Sequence, residues 1–344
     1  MNIVVLCGGI SVERDVSITS GTMVAKALRE RGHRVVLMDS YFGYSGQYES
    51  PEEVFLAEQS NEMIFVGEIE PDLERVKASR NQANSSVLGD NVIEICSAAD
   101  ICFLALHGEE GENGKLQACF DIAGIKYTGS GYLGSALAMN KTITKQLLDH
   151  AGILTPRGIT IYAGEASYED VGFPCVVKPC SGGSSVGTYI VNSREEYEVA
   201  VEQAFKYERG LIVEQYIKGR ELTVGVIDGA AMPVIEIIPK QGFYDYKNKY
   251  QAGATTELCP APIGDEKTAE IQRLSERVHE VLMIDAYCRV DFLMDEQGVL
   301  YCLEANTLPG MTPTSLVPQM AEVQGKSFGE LCEELIEVSL KKYA

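Results

Sequence analysis

The chain has 344 residues, of which 45% are hydrophobic and 23% are charged. This is an ordinary mixture for a folded protein, and the length allows about two or three domains. The 29 lysines and arginines face 50 aspartates and glutamates, which leaves a net charge of −21. Such an acidic balance argues against non-specific nucleic-acid binding and against an anionic membrane surface, because both need clustered cations. A few local lysines and arginines would still suffice to bind a small anion.

No segment is typical of a secreted or membrane-spanning chain. The longest apolar runs, such as 3–7 and 101–106, have the length of strands and fall far short of the roughly 20 residues of a membrane span. The first residues lack the basic and long apolar regions of a signal peptide. The ten cysteines form no C-x-x-C pair, and the four histidines are scattered. We therefore expect reduced thiols in the cytoplasm, without disulfides or a zinc site.

The first third of the chain alternates strands and helices. Apolar runs predict buried strands over 2–7, 34–39 and 100–106, while helical spacing predicts helices over 17–31 and 114–123. Between the second and third strands lies a polar, loop-rich stretch for which we expect one helix near Pro71. Alternation of this kind is typical of a parallel sheet that is covered by helices.

The remainder of the chain is richer in strands. The predicted strands are 156–162, 175–179, 187–191, 211–216, 221–227 and 231–238, and 288–294 forms a hairpin with 300–304 through a turn at 295–298. The predicted helices are 133–151, 193–206 with Ser193 as its N-cap, 268–283 and 327–342.

Two short motifs on the predicted hairpin place four polar residues in the pattern most indicative of a binding site in this chain. The first strand holds Arg289 and Asp291, and the second ends with Glu304 and Asn306. Alternation along a strand can place all four side chains on one face. Two carboxylates and an amide oxygen suit Mg²⁺, and the arginine could hold a phosphate or a developing oxyanion. The alternative is a surface ion pair, but the apolar residues that flank these positions favour a cation site.

A glycine- and serine-rich segment at 182–187 separates two predicted strands. It lacks the G-x-x-x-x-G-K pattern of a strand-to-helix phosphate loop, yet such a hairpin can close over phosphates with N–H groups and hydroxyls. Lys178 ends the apolar strand just upstream, where a lysine is poorly accommodated unless it meets an anion. The alternative is a simple turn whose lysine reaches solvent.

Three further segments are weaker on their own. Glu214 to Ile217, followed by Glu221, could present backbone groups to an adenine and a carboxylate to ribose hydroxyls. The loops 8–17 and 107–114 follow parallel strands, which is where a doubly wound fold binds ligands, and Glu13 in the first could capture an ammonium group. Each of these segments is also compatible with an ordinary strand edge or polar loop.

Together these motifs resemble the D-alanine–D-alanine ligases, a family of the ATP-grasp superfamily. The similarity runs in order along nearly the whole chain, and the ordered set is far more specific than any single motif. The motifs are GGISVERDVS, LHGEEGENG, YTGSG, SALAMNK, VVKPCSGGSSVG, VEQYIKGRELTV, FYDYKNKY, RVDFLMD and LEANTLPGMTPTSLVP. The segment 41–97 is longer than in the shortest family members, and the resemblance says little about it.

The resemblance implies a mixed α/β and α+β chain. A Rossmann-like domain would cover 1–129, with an insertion at 41–97, and a two-domain ATP-grasp fold would follow, with a central domain at 130–213 and a C-terminal, magnesium-binding domain at 214–344. The implied reaction joins two D-alanine molecules, using ATP, for peptidoglycan precursors. The first carboxylate is phosphorylated, and the second amine attacks the acyl phosphate. Also implied are two Mg²⁺ or Mn²⁺ ions and a homodimer formed through the N-terminal region, without nucleic-acid or membrane partners.

The resemblance also assigns site residues in two groups. Near the amino acids are Glu13 for the first ammonium with Ser184 and Tyr250 in support, His107 near the first carboxylate, Arg289 and Gly310 at the oxyanion, and Ser315 and Leu316 at the second carboxylate. Near ATP are Lys141, Lys178 and Lys249 at the phosphates, Ser185 in the glycine-rich segment, Glu214 and Ile217 at the adenine and Glu221 at the ribose, with Asp291, Glu304 and Asn306 as metal ligands.

Physical requirements agree with these assignments. A carboxylate is a poor electrophile, so it needs activation, and cations must neutralise the charge that spreads over the transferred phosphoryl group. An acyl phosphate hydrolyses easily, so a lid that excludes water is expected. The glycine-rich segment 182–187 and the loop with Lys249 and Tyr250 are the candidates for this lid.

Three alternatives to this reading are disfavoured. Relatives that use D-lactate replace the lid tyrosine with a histidine-containing loop, and relatives that use D-serine alter the segment after P-G. Here Tyr250 is intact and the residues at 311–312 and 315–316 match the D-alanine pattern. A non-catalytic ATP-binding protein is disfavoured because every polar position is present. A dinucleotide-dependent oxidoreductase is disfavoured because the N-terminal loop lacks G-x-G-x-x-G.

Overall fold

The computed structural model describes residues 1–57, 71–80, 86–164, 168, 171–183, 186–240, 255–312 and 314–344. The strands in these ranges are β1 (Asn2–Cys7), β2 (Arg34–Asp39), β3 (Ile101–Leu104), β4 (Gly158–Tyr162), β5 (Cys175–Pro179), β6 (Tyr189–Val191), β7 (Gly210–Gln215), β8 (Gly219–Ile227), β9 (Ala230–Pro239), β10 (Thr255–Leu258), β11 (Tyr287–Asp295) and β12 (Leu300–Asn306). The α-helices are α1 (Arg14–Glu30), α2 (Leu73–Ser79), α3 (Val92–Ser97), α4 (Glu109–Glu112), α5 (Lys115–Ala123), α6 (Tyr132–Met139), α7 (Lys141–His150), α8 (Arg194–Ala204), α9 (Asp265–Val281), α10 (Leu316–Val323) and α11 (Phe328–Leu340).

The N-terminal sheet is parallel and has the strand order β2-β1-β3. Its strands are the predicted apolar runs, and β1 and β3 are almost wholly buried, as expected for a parallel sheet covered on both faces. The loops 8–13 and 105–108 follow β1 and β3 and meet at one edge of this sheet. The Ser11 hydroxyl joins them by donating a 2.7 Å hydrogen bond to the carbonyl oxygen of His107.

The middle sheet is antiparallel, with the strand order β4-β7-β5-β6. Helix α8 covers it and begins as predicted, because the Ser193 side chain accepts a hydrogen bond from the backbone N–H of Glu196. Tyr197 of this helix packs with Val177 and Leu211 in a core that belongs to the middle sheet alone.

The C-terminal sheet is antiparallel, with the strand order β10-β9-β8-β11-β12. The predicted hairpin is present, and its register pairs Asp291 with Glu304 and Arg289 with Asn306. The pairing shifts by one residue directly after Asp291, which is a β-bulge. All four polar residues of the hairpin motifs are therefore neighbours across β11 and β12.

One continuous core joins the N-terminal and C-terminal sheets. It combines side chains from α1, β9 and α11, including Leu28, Ile237 and Leu335. Helices α6 and α7 pack on the C-terminal sheet in a second core, through Ala138 and Leu148. The two outer sheets thus share their packing, whereas the middle sheet has its own. The domain boundaries after 129 and 213 stay a prediction.

The predicted single helix over 133–151 is wrong, because Asn140 divides it. Asn140 has extended backbone angles, and its side chain accepts a hydrogen bond from the N–H of Ile143, so it caps α7. An asparagine side chain competes with the helical backbone, which explains the break. The division starts α7 at Lys141.

Several short elements were not predicted, namely α3, α4, α10 and β10. Each has four to eight residues, which is too short for a helical or alternating pattern to stand out. The expected helix near Pro71 is α2. Among the described helices, none is long and apolar enough to cross a membrane.

Replacing two helical glycines, Gly21 and Gly329, by alanine should have opposite effects on the stability of the fold. A Cβ atom at Gly21 would lie 2.6 Å from the Cβ of buried Cys7, whereas the nearest neighbour of one at Gly329 would be the flexible Arg31 side chain, at 3.0 Å. We expect Gly21→Ala to destabilise the fold by about 1–3 kcal/mol through overpacking. Gly329→Ala should be neutral or stabilising by up to about 1 kcal/mol, because alanine favours the helix. Urea unfolding of both variants measures the difference, and equal effects would contradict the packing of α1 on β1.

Candidate active site

A cavity of about 420 Å³ lies between the middle and C-terminal sheets, and we call it the larger cavity. Its walls come from both sheets and from the start of α7. Among the predicted site residues, those that line it are Lys141, Lys178, Glu214, Ile217, Glu221, Asp291 and Glu304. The structure therefore brings together seven of the residues that were assigned to ATP and the metal.

A buried carboxylate lies on the middle-sheet side of this cavity. Glu214 is 3% exposed and forms ion pairs with Lys178 and with Lys145, the latter at 2.9 Å. Burial alone raises the pKa of Glu214, but the two lysine charges outweigh it and lower the pKa overall. Lys145 was missed by the sequence reasoning, although it lies four residues after Lys141 and therefore on the same helix face.

Lys141 links the two sides of the larger cavity. Its ammonium donates a 2.6 Å hydrogen bond to the carbonyl oxygen of Gly182 in the glycine-rich segment, and lies 3.4 Å from a carboxylate oxygen of Glu304. A cation in this position is well placed to meet an anionic ligand that lies between the sheets.

The hairpin carboxylates are held by hydrogen bonds on the C-terminal side. Asp291 accepts two bonds from Arg289 at 2.9 Å, one from the Thr223 hydroxyl at 2.6 Å and one from the Asn306 amide at 3.0 Å. Glu304 is its cross-strand neighbour. Such a network fixes the carboxylates before any ligand arrives.

A second, smaller cavity of about 70 Å³ lies where the N-terminal loops meet β12 and the segment before α10. The predicted site residues that line it are Glu13, His107, Arg289, Asn306, Gly310, Ser315 and Leu316. Gly183 lines both cavities, so the two adjoin at the glycine-rich segment. The arrangement places a small polar chamber next to a larger elongated one.

In the smaller cavity the backbone passes close to the carboxylate of Glu13 at two glycines. A Cβ atom added at Gly108 or at Gly183 would lie only 3.2 or 3.1 Å from its Oε2 atom. Gly108 also has a φ of 66°, which favours glycine. The sequence prediction that this carboxylate captures an ammonium group is compatible with its burial in a polar chamber.

His107 is buried and is held as a neutral imidazole. Its Nδ1 atom lies 3.1 Å from the carbonyl oxygen of Leu308, so Nδ1 carries the proton and Nε2 accepts from the Ser20 hydroxyl at 3.3 Å. Burial is the main cause that lowers the pKa of His107. A neutral imidazole can donate or accept one hydrogen bond without adding charge.

The opposite wall of the smaller cavity precedes α10. The Ser315 hydroxyl lies 2.8 Å from the Thr312 hydroxyl and accepts a 2.9 Å bond from its N–H. A Cβ atom at Gly310 would lie 2.7 Å from the Ser315 hydroxyl, so a larger residue here would displace that hydroxyl. Three polar side chains of the smaller cavity were not predicted as site residues, namely Glu112, Thr312 and Thr314. The polar loop 107–114 was the signal that could have identified the first of them.

Four predicted site residues cannot be placed in this geometry. Ser184, Ser185, Lys249 and Tyr250 lie outside the described residues. Their assigned roles, including the lid, stay predictions.

Glu112 makes a testable pH prediction. Burial, and then the charge of Glu13, raise the pKa of its carboxyl to about 7, while hydrogen bonds from Gly108 and Leu308 and the charge of Arg289 lower it. The folded carboxyl therefore keeps its proton in a range where the unfolded one has lost it, and stability falls as the pH rises from about 4.5 to about 7. Glu112→Gln removes this dependence, so its melting temperature relative to that of the wild type should rise as the pH is raised from about 4.5 to about 7. A difference that is independent of pH would contradict the raised pKa.

Two antiparallel sheets that enclose a cavity lined by lysines and paired carboxylates, beside a Rossmann-like parallel sheet, define an ATP-grasp enzyme. Two family models match the chain, "D-ala D-ala ligase N-terminus" over residues 2–130 and "D-ala D-ala ligase C-terminus" over residues 160–337. The chain belongs to the D-alanine–D-alanine ligase family, and the predicted fold class and family are confirmed.

Individual relatives agree with this membership. The D-alanine–D-alanine ligases of Lacticaseibacillus casei and Pediococcus pentosaceus are each 42% identical, over 100% of this chain and 97% and 99% of their own lengths. The crystal structure of the ligase from Bacillus anthracis complexed with ATP has a TM-score of 0.74 at 30% identity, over 99% of this chain and 97% of that one. The VanG D-Ala:D-Ser ligase from Enterococcus faecalis also has a TM-score of 0.74, at 26% identity over 98% of this chain and 99% of that one.

Proposed function

We propose that this enzyme joins two D-alanine molecules into D-alanyl-D-alanine, with ATP converted to ADP and phosphate, for peptidoglycan precursor synthesis. The observation that carries the proposal is the junction of the two cavities at Gly183. An elongated chamber with lysines suits a nucleoside triphosphate, and a small polar chamber suits an amino acid. The relatives at 42% identity, which bear the name of this activity, support the same substrates.

The reaction starts by activating a carboxylate. Glu13 holds the ammonium group of the first D-alanine, with His107 near its carboxylate. The carboxylate attacks the terminal phosphorus of ATP, the bond to ADP breaks, and D-alanyl phosphate forms. Lys141 and Lys178 neutralise the charge on the phosphates, which is the main contribution that a protein makes to phosphoryl transfer.

The second step forms the peptide bond. The amine of the second D-alanine attacks the acyl carbon, and phosphate leaves from the tetrahedral intermediate. Arg289 and the N–H of Gly310 stabilise the negative oxygen of this intermediate. Ser315 and Leu316, at the start of α10, bind the carboxylate of the second D-alanine, where backbone N–H groups favour an anion.

The hairpin residues fit a divalent cation. The described residues contain no group of three or more acidic, histidine or cysteine side chains that could hold a metal on their own. Asp291, Glu304 and Asn306 instead supply a small oxygen set, which is how Mg²⁺ is held when substrate phosphates complete its shell. They would hold two Mg²⁺ or Mn²⁺ ions, which neutralise the charge of the β- and γ-phosphates when bound. The adenine would lie against Glu214 and Ile217, and the ribose beside Glu221.

Two further assignments follow from the family. We place the enzyme in the cytoplasm, where its substrates are made, and we expect a homodimer formed through the N-terminal domain. Size-exclusion chromatography with light scattering tests the dimer, and a monomeric mass at micromolar concentration would contradict it.

The direct test measures ADP release with ATP, Mg²⁺ and D-alanine, with products identified by mass. L-Alanine, D-lactate and D-serine serve as parallel acceptors. We expect ADP release that depends on D-alanine and matches the dipeptide formed. Mixed products with D-lactate or D-serine would leave the proposed chemistry in place. They would show that the assignment of D-alanine to the second-substrate pocket, near Ser315, is wrong. No turnover with any acceptor would overturn the proposed function.

A further inference from the structure

Lys145 is a buried cation that the reaction described above does not use. Its side chain is 13% exposed, and burial is the main cause that lowers its pKa, against an opposing effect of Glu214. A buried ammonium group costs free energy unless it is hydrogen-bonded. Lys145 donates to the carbonyl oxygen of Pro156 and, at 2.9 Å, to the Oε2 atom of Glu214.

The partner carboxylate bridges two lysines. The Oε2 atom of Glu214 accepts a hydrogen bond from the ammonium of Lys145, and the Oε1 atom forms an ion pair with the ammonium of Lys178. The carboxylate has a lowered pKa, so it is ionised at neutral pH. The three groups together carry one positive charge in the wall of the larger cavity.

These contacts connect two separately packed parts of the fold. Helix α7 packs on the C-terminal sheet through Leu148, whereas Lys178 and Glu214 lie on β5 and β7 of the middle sheet. Lys145 therefore reaches from one side of the larger cavity to the carboxylate on the other. Thr142, one turn earlier on α7, makes a parallel contact at 2.8 Å to Thr160 of β4.

We infer that Lys145 is a positioning residue for ATP: it shares the charge of Glu214 with Lys178, so that this carboxylate does not neutralise Lys178 alone and the cluster keeps a positive charge for the phosphates. This inference rests on the proposed use of ATP. Without Lys145, Glu214 and Lys178 form a closed pair with no net charge. A triphosphate would then meet a wall without the positive charge that attracts it.

The test measures ATP binding by calorimetry in the absence of D-alanine, together with kcat and the KM for ATP. We expect Lys145→Met to raise the ATP dissociation constant at least about tenfold while kcat at saturating ATP stays within about threefold, since one charge is lost from binding. Lys145→Arg keeps the charge and should stay within about threefold of the wild type. Lys206→Met, in the exposed turn that follows α8, is the matched control.

A double variant separates positioning from a structural role. Because Glu214 also lies at the proposed adenine position, the effect of Lys145→Met is compared in the wild-type and Glu214→Gln backgrounds. Without the carboxylate, Lys178 keeps its charge whether or not Lys145 is present, so Lys145→Met should raise the ATP dissociation constant by a smaller factor than in the wild-type background. An equal or larger factor in the Glu214→Gln background overturns the inference, as does a Lys145→Met dissociation constant within about twofold of the wild type. If Lys145→Met does not fold, Lys145→Gln carries the same expectations. Because binding is measured without D-alanine, a wild type that binds ATP but makes no dipeptide would refute the proposed function and leave this inference standing.

Discussion

Glu304→Gln is expected to lower kcat for dipeptide synthesis by about 1,000-fold or more. Glu304 faces Asp291 across the hairpin and lies 3.4 Å from the ammonium of Lys141. Replacing its carboxylate removes the charged ligand that we propose for the metal beside the phosphates, and an effect of about 4 kcal/mol on the transition state corresponds to this loss of rate. Initial rates measured over a range of Mg²⁺ concentrations provide the check.

The matched control lies on the same hairpin. Glu296→Gln changes an exposed carboxylate in the turn, which pairs with Lys218 at the surface. Its kcat should stay within about twofold of the wild type, because an exposed ion pair contributes little. A Glu304→Gln enzyme that regains a near-normal rate at saturating Mg²⁺ would remove Glu304 from the metal site.

Glu13→Gln is the second change with a large expected effect. The carboxylate of Glu13 is buried between Gly108 and Gly183, where water is not available to solvate a bound ammonium group. Removing one partner of a buried charge pair costs about 3–5 kcal/mol, so kcat/KM for D-alanine should fall at least about 100-fold. The KM for ATP should stay within about threefold, because the larger cavity is unchanged.

Asp15→Asn is the control for this prediction, since it changes a carboxylate in the same first turn of α1 that does not line either cavity. Steady-state kinetics with each substrate varied in turn distinguish the two cavities. A Glu13→Gln variant whose loss falls on ATP rather than on D-alanine would show that the smaller cavity does not hold the amino acid.

Local patterns explain why so much of the hairpin site was predictable. Side-chain alternation placed Arg289 and Asp291 on one face, and the turn at 295–298 set the partner strand opposite. The observed register pairs these residues with Asn306 and Glu304, so the four side chains do share one face, as alternation allowed. The register of a short hairpin depends on residues close in sequence, so it can be read without the rest of the fold.

Lys145 and Glu112 show where sequence reasoning ended. Lys145 lies in the predicted helix 133–151 and Glu112 in the polar loop 107–114. Neither the helical spacing nor the loop composition indicates which side chain faces a cavity. Lys145 donates a hydrogen bond to Glu214, 69 residues further along, and Glu112 lines the same cavity as Glu13, which follows a different strand. Contacts between segments far apart in sequence follow from packing, which leaves no local periodic signal.

The sequence by itself determined the apolar strands, the presence of the hairpin and, through its ordered motifs, the family. Only the tertiary structure decided that the N-terminal and C-terminal sheets share one core while the middle sheet packs alone. It also decided that Asn140 breaks a predicted helix, which directs both Lys141 and Lys145 towards the middle sheet. Strands and hairpins can be predicted from the periodic spacing of apolar residues along a short segment. Shared cores and adjoining cavities depend instead on which segments, far apart in sequence, pack against each other.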